Sequence, residues 1–329
     1  MSSAQQRIQQ FRRHITHVMV TSVLAVLFVT LALSAFHEPT PHELPIGVVG
    51  DHVAVGQLAA TLDAREPGGF DLRAYRTTGA VRQAIIDRNI DGGVDVGAHR
   101  LTIYVAQASG IGPTSAITNT FQSFAEATRR APHVVNVVPA LPRDSEAFAP
   151  FFIMLATLIA SMVGGVNLGV MFRTSGRGWL IAAPFIVALF LGLAIAGVTD
   201  GFTGYGHFFE LAGTLALFSL AVSESTAAIA KIRNSLVALA PLTFVVLGIP
   251  ASGGPGGLAP FAPSFIRVFA SALPLGVGES AVRNLVYFRG HDTAAPLWTL
   301  AAWATVGLTT FVVLHVRRQS ADRSLAVTQ

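Results

Sequence analysis

The chain has 329 residues, of which 52% are hydrophobic and only 12% are Asp, Glu, Lys or Arg, with a mean hydropathy of +0.57. Soluble domains carry about 25% charged residues, so an ordinary two-domain soluble protein is excluded and much of the surface must face lipid. The 22 basic residues outnumber the 18 acidic ones by too little, and too diffusely, for a nucleic-acid partner, and the absence of Cys excludes disulfides, Cys-ligated metal centres and a thiol nucleophile.

The first apolar run, residues 17–36, carries no Asp, Glu, Lys or Arg and is long enough to cross a hydrocarbon core of about 30 Å. It exceeds a signal-peptide core, and Leu33-Ser34-Ala35-Phe36 is a poor cleavage site, so the run reads as an uncleaved anchor. Ahead of it, Ile8, Phe11 and Ile15 share one helical face of residues 5–17, the pattern of a helix lying along a membrane surface.

Residues 37–148 differ in character, holding 9 of the 22 basic and 12 of the 18 acidic residues. Residues 44–49 read as a buried strand and 53–64 as a helix through Val55, Leu58 and Leu62. Residues 70–76 alternate like a strand, and 78–89 form a helix with Val81, Ile85 and Ile86 inward and Thr77 or Thr78 as its N-cap. Strands follow at 93–97 and 101–106, a helix at 113–130 and a strand at 133–138. The order βαβαββαβ implies a small α/β domain with a mixed sheet.

Five further apolar runs follow at 149–172, 178–199, 207–230, 235–250 and 295–316, giving six transmembrane helices in all. The loop at 251–293 is too apolar for a plain connection. Phe261, Phe265 and Phe269 recur every four residues, Pro274 opens a second helical stretch, and Glu279 and Arg283 form an i,i+4 pair. These features predict a re-entrant or interfacial hairpin in the outer leaflet. Arg7, Arg12, Arg13, Arg173, Arg177, Lys231, Arg233, Arg317, Arg318 and Arg323 fall on one side of the six spans, whereas the short loops opposite hold only Arg267, Arg283 and Arg289. The bias puts both termini in the cytoplasm of an inner or plasma membrane.

The expected organisation is a cytoplasmic segment (1–16), a first transmembrane helix (17–36), an extracytoplasmic α/β domain (37–148), a five-helix transmembrane domain (149–316) containing the hairpin (251–293), and a cytoplasmic tail (317–329). This layout resembles the type-2 exporter superfamily of ABC transporter permeases, including the phage-infection-protein-like membrane proteins. The local words that carry the resemblance are Pro45-Ile46-Gly47-Val48-Val49-Gly50-Asp51, residues 80–96 ending in Asp91-Gly92-Gly93-Val94-Asp95-Val96, and Leu273-Pro274-Leu275-Gly276 with Ala281-Val282-Arg283-Asn284-Leu285. The resemblance implies a homodimer that exports a lipophilic or amphipathic substrate with a separate ATPase. In one respect the chain departs from it. The second-to-third connection, Arg173-Thr174-Ser175-Gly176-Arg177, is too short for the coupling segment such permeases offer their ATPase.

There is no Walker A sequence, so ATP could be used only through a partner subunit, and no cofactor is expected on this chain. Nor do the histidines fall into a hydrolase or metal-ligand spacing; no catalytic or metal site is expected, and the chain reads as no enzyme. The glycine runs 110–112 and 253–257 read as a helix start and a flexible outer turn rather than phosphate loops. Glu210 and Glu224 are the only acids well inside an apolar span. A carboxylate near the bilayer centre costs roughly 2.5–3.5 kcal/mol on insertion scales and normally faces protein or water. Fourteen residues set them about 40° apart on one helix face. Glu210 is either hydrated at the interface or on a substrate path. Glu224 is either a packing hydrogen-bonder, paired towards Lys231 or Arg233, or a polar element of that path. Gly165 and Gly169 make a GxxxG face for close helix packing in the bundle or at a dimer seam, with Asn167 seeking a cross-helix partner. The competing function is a non-transporting scaffold or receptor whose exterior domain binds a partner.

Overall fold

The computed structural model describes residues 3–37, 39–50, 52–171, 177–232, 236 and 238–327. Its α/β unit follows the expected order. Strands β1 (Leu44–Val49), β2 (Phe70–Tyr75), β3 (Gly92–Val96), β4 (Arg100–Val105) and β5 (Ala131–Asn136) interleave with α2 (His52–Asp63), α3 (Thr78–Ile86) and α4 (Ile111–Ala127). The sheet order is β2-β1-β3-β4-β5, parallel throughout except for the antiparallel β3–β4 hairpin. The three parallel pairs each need a crossover, and α2, α3 and α4 supply them. Thr77 caps α3, its hydroxyl accepting from the Ala80 amide at 3.2 Å.

The sheet buries both faces. Ile46, Val48, Val94, Leu101 and Ile103 pack with Leu58 and Leu62 of α2 and Ile117 and Phe121 of α4. On the other face Val81, Ile85, Ile90 and Tyr104 join one apolar cluster with Met154, Phe218, Tyr287 and Phe288 of the helical region. The α/β unit is therefore welded to the helices rather than tethered to them.

Among the described residues, five helices are long and apolar enough to cross a membrane, or six if the bent pair described below counts as one span. They lie within α1 (Ser3–Phe36), α5 (Ala149–Met171), α6 (Arg177–Thr203), α7 (Phe208–Ile232) and α12 (Ala294–Val327). Helix α7 is the centre: 72% of its apolar window is buried, against 6% for that of α1. The bundle closes on α7 because glycines let its neighbours approach its backbone. A Cβ on Gly165 of α5 would fall on the Ser223 carbonyl, one on Gly192 of α6 would lie 2.5 Å from the Ala212 carbonyl, and one on Gly307 of α12 would lie 2.6 Å from the Ser225 nitrogen. Ser161 of α5 adds a buried hydroxyl bond to Ser219 at 3.0 Å.

Several expectations need correction. Within the run at 235–250 the described helical stretch is Leu239–Ser252, about 21 Å long at 1.5 Å per residue and shorter than the five helices above. It comprises α8 (Leu239–Pro241), a π-helical turn (Leu242–Leu247) and α9 (Gly248–Ser252). Pro250 has no N–H to offer and its ring crowds the carbonyl four residues back, which the wider π turn accommodates. Residues 5–17 are not a separate surface helix but continue unbroken into α1, and α12 is helical through Val327, within the expected tail. The strands at 93–97 and 133–138 begin one and two residues earlier.

The hairpin region is helical but not continuous. A 3-10 turn (Ala259–Phe261) precedes α10 (Ser264–Ala270) and α11 (Pro274–Tyr287), which meet at 63°. Pro263 breaks the fourfold phenylalanine pattern, so the three rings do not line one helix. Phe261 is buried in the α/β core, while Phe265 and Phe269 on α10 are exposed. The turn at 253–257 is packed rather than flexible: the Gly256 carbonyl accepts from the Gly112 amide at 2.9 Å, and a Cβ on Gly110 would lie 2.6 Å from that carbonyl.

Candidate functional site

Residues far apart in sequence converge where the α/β unit meets α5, α7 and α11. Asp144, in the turn before α5, accepts from the Phe148 amide at 3.0 Å and the Ala149 amide at 3.1 Å, completing the start of that helix. It also accepts from the Tyr205 hydroxyl at 2.8 Å and from the Tyr287 hydroxyl. Tyr205 lies between α6 and α7 and Tyr287 ends α11, so one carboxylate ties four segments. Burial, with Tyr287 and Asp144 adding to it, holds the Tyr205 hydroxyl well above its ordinary pKa.

Beside this knot two guanidiniums cross the seam. Arg283 of α11 donates to the carbonyls of Ala108 at 2.8 Å and Ala147 at 3.2 Å, and pairs with Glu279 at 2.8 Å. The predicted i,i+4 pair therefore forms, but both residues are only 4% exposed. Arg88, held at φ 64° in the turn after α3, donates to Ser109 at 2.9 Å, lies 3.7 Å from Asp91 and stacks 4.5 Å over the Phe288 ring. His291 and Asp87 approach to 3.3 Å, and Arg267 donates to the His42 carbonyl at 2.8 Å.

Arg88, Asp91, Ser109, Glu279 and Arg283 border a cleft of about 450 Å³ between the α/β unit and the hairpin. Arg88, Asp91, Ser109, Glu279, Arg283 and Asp292 supply its charged and polar wall. Burial raises the Asp91 carboxyl above its ordinary pKa by more than Arg88 lowers it. The folded chain thus holds this proton more tightly than the unfolded one. Its contribution to stability is full below the ordinary Asp value of about 3.9 and falls as pH rises towards the raised one. In mild detergent Asp91→Asn is expected to melt above wild type at neutral pH and to converge with it in acid. A gap that stays constant across that range refutes the assignment.

The other sequence candidates scatter. Glu224 is completely buried in α7, and neither carboxylate oxygen has a hydrogen-bond partner among the described residues. Arg233, one of its two expected partners, lies outside the described residues. Glu210 is exposed in the first turn of α7, where a carboxylate suits the helix dipole, whereas Glu224 is sealed within the bundle. Gly165 and Gly169 face α7 of the same chain, which resolves their packing as internal to the bundle. Asn167 is exposed, makes no hydrogen bond among the described residues, and borders a groove of about 370 Å³ with Val163, Thr226 and Pro241. The short connection at 172–176 lies outside the described residues.

Sequence reasoning missed Arg88, Asp144, Tyr205 and Tyr287. Asp144 stands five residues before α5 rather than at its N-cap, so capping rules do not find it. The chain matches no protein-family model, no curated protein and no solved structure.

Proposed function

We propose that this chain is a permease-like membrane subunit that exports a lipophilic or amphipathic substrate, working as a homodimer with a separate ATPase. In this reading both termini are cytoplasmic and the α/β unit lies outside an inner or plasma membrane. The observation that carries it is the uneven packing of the helices. Helices α5, α6, α7, α11 and α12 form one tight body, whereas α1 leans chiefly on residues 242–252 and buries little else. That pair is hinged at a π turn flanked by Pro241 and Pro250, beside the groove at Asn167. A body and a loosely held pair are the parts a rocking mechanism needs, and cargo must bind the two arrangements unequally to drive it.

The test is purification of the tagged full-length chain in mild detergent, before and after cross-linking, with mass spectrometry and an ATPase assay. A stoichiometric nucleotide-binding subunit whose hydrolysis responds to this chain is the expected result. Recovery of only self-association or an exterior partner, with no ATPase even after cross-linking, rules the permease out in favour of a scaffold or receptor. One observation favours that second reading: β5 pairs only with β4 and leaves an exposed strand edge, the geometry by which an extended partner segment adds to a sheet.

A further inference from the structure

In the cleft between the α/β unit and the hairpin, the two guanidiniums are engaged across the seam, but one buried carboxylate oxygen is left unmet. Both nitrogens of Arg283 that face the seam are engaged by the Ala108 and Ala147 carbonyls and Glu279, and Arg88 is engaged by Ser109, Asp91 and the Phe288 ring. Glu279, only 4% exposed, gives Oε1 to Arg283, while its Oε2 has no hydrogen-bond partner among the described residues. Leaving such an oxygen unmet costs about 1–3 kcal/mol, a penalty relieved by any ligand that brings a donor. The cleft wall holds three carboxyl groups, Asp91, Glu279 and Asp292, against two guanidiniums, Arg88 and Arg283. Its volume of about 450 Å³ suits a small organic molecule, and Pro113, Val277 and Pro296 supply apolar surface beside the charges.

We propose that this cleft binds an organic cation, an ammonium or guanidinium group on a small, partly apolar molecule, with Glu279 Oε2 as its principal acceptor. The terminal torsion of Glu is broad, so a small rotation presents Oε2 to the cleft while Oε1 keeps Arg283. Arg88 and Arg283 act as positioning residues: their bonds to Ser109, to the Ala108 and Ala147 carbonyls and to Glu279 Oε1 fix the cleft wall and leave Oε2 for the ligand's donor. The site belongs to the junction, and it stands whether the bundle transports, serves an ATPase or only anchors a receptor.

The test is titration calorimetry of the full chain in a non-ionic detergent at neutral pH, with phenethylamine, agmatine and spermidine as probes and phenethyl alcohol as the uncharged match. At least one amine is expected to bind saturably at one site per chain, with phenethyl alcohol at least tenfold weaker than phenethylamine if the latter binds. Glu279→Gln, which keeps a hydrogen bond for Arg283 but removes the charge, is expected to weaken the amine tenfold or more. Ser280→Phe leaves the Glu279–Arg283 pair alone and fills the cleft; it is expected to abolish binding even if Glu279→Gln fails to fold. The proposal is overturned if none of the three amines saturates at millimolar concentration. It is equally overturned if the alcohol matches its amine, if folded Glu279→Gln binds normally, or if Ser280→Phe leaves the affinity unchanged.

Discussion

Asp144→Ala is expected to destabilise the folded chain by roughly 3–5 kcal/mol, the range for removing one partner from a buried charged network. The substitution strips the acceptor from the Phe148 and Ala149 amides and from two tyrosine hydroxyls at once. Each group left buried without a partner carries its own desolvation cost of about 1–3 kcal/mol, and partial rehydration keeps these from adding fully. Tyr205→Phe or Tyr287→Phe removes one donor and leaves the carboxylate three partners, so each is expected to cost only about 1–2 kcal/mol. Thermal unfolding in detergent, followed by circular dichroism, gives the ranking. An Asp144→Ala protein as stable as Tyr205→Phe would mean that the knot contributes little beyond one hydrogen bond.

The knot also shows why the site was only partly legible. Glu279 and Arg283 are four residues apart on one helix, so their pairing follows from spacing alone. Nothing local says that this pair is buried, because its lid is the Ala108 and Ala147 backbone, brought there by the α/β unit. Nothing local in the sequence marks Arg88, one charge just after α3. Its left-handed turn and the Phe288 ring beneath it belong to tertiary structure. Glu224 was visible as a carboxylate in an apolar run, but only the packing of three neighbouring helices shows that it is sealed.

The sheet was legible in more detail than the bundle. Each crossover helix of the α/β unit has its own apolar face and turn signals, so βαβαββαβ could be read in order and observed as β2-β1-β3-β4-β5. Apolar runs in the helical region carry no such phase. Mean hydropathy does not report burial: α1, which is almost bare, is the more apolar of the two and α7, mostly buried, the less, because lipid favours apolar residues as strongly as a protein interior does. It likewise does not tell a span from the shorter stretch at Leu239–Ser252, where two prolines and a π turn set the length. The phenylalanines at 261, 265 and 269 kept a helical period across Pro263, and the proline decided the matter.

Glycine-to-leucine substitutions are expected to separate the faces that close the bundle from those left open. On Gly307 even a single methyl would sit 2.6 Å from the Ser225 nitrogen and 2.9 Å from the Glu224 carbonyl carbon, both of them helix backbone that cannot rotate aside. Gly307→Ala is therefore expected to cost about 1–3 kcal/mol through overpacking, and Gly307→Leu or Gly165→Leu to leave little monodisperse protein in detergent gel filtration. Gly164 and Gly213 are the controls, since nothing lies within 4 Å of a Cβ built on either. Leucine at those positions should be tolerated, within about 0.5 kcal/mol of wild type. The contrast is sharpest between adjacent residues of α5: Gly165 faces α7, whereas Gly164 faces away from any neighbour in this chain. If Gly164→Leu abolished self-association while leaving the monomer folded, the open face of α5 would be the dimer seam, and the α7-facing GxxxG would remain internal. If Gly165→Leu folded as well as Gly164→Leu, the close approach of α5 to α7 would be wrong, and with it the sealed environment assigned to Glu224.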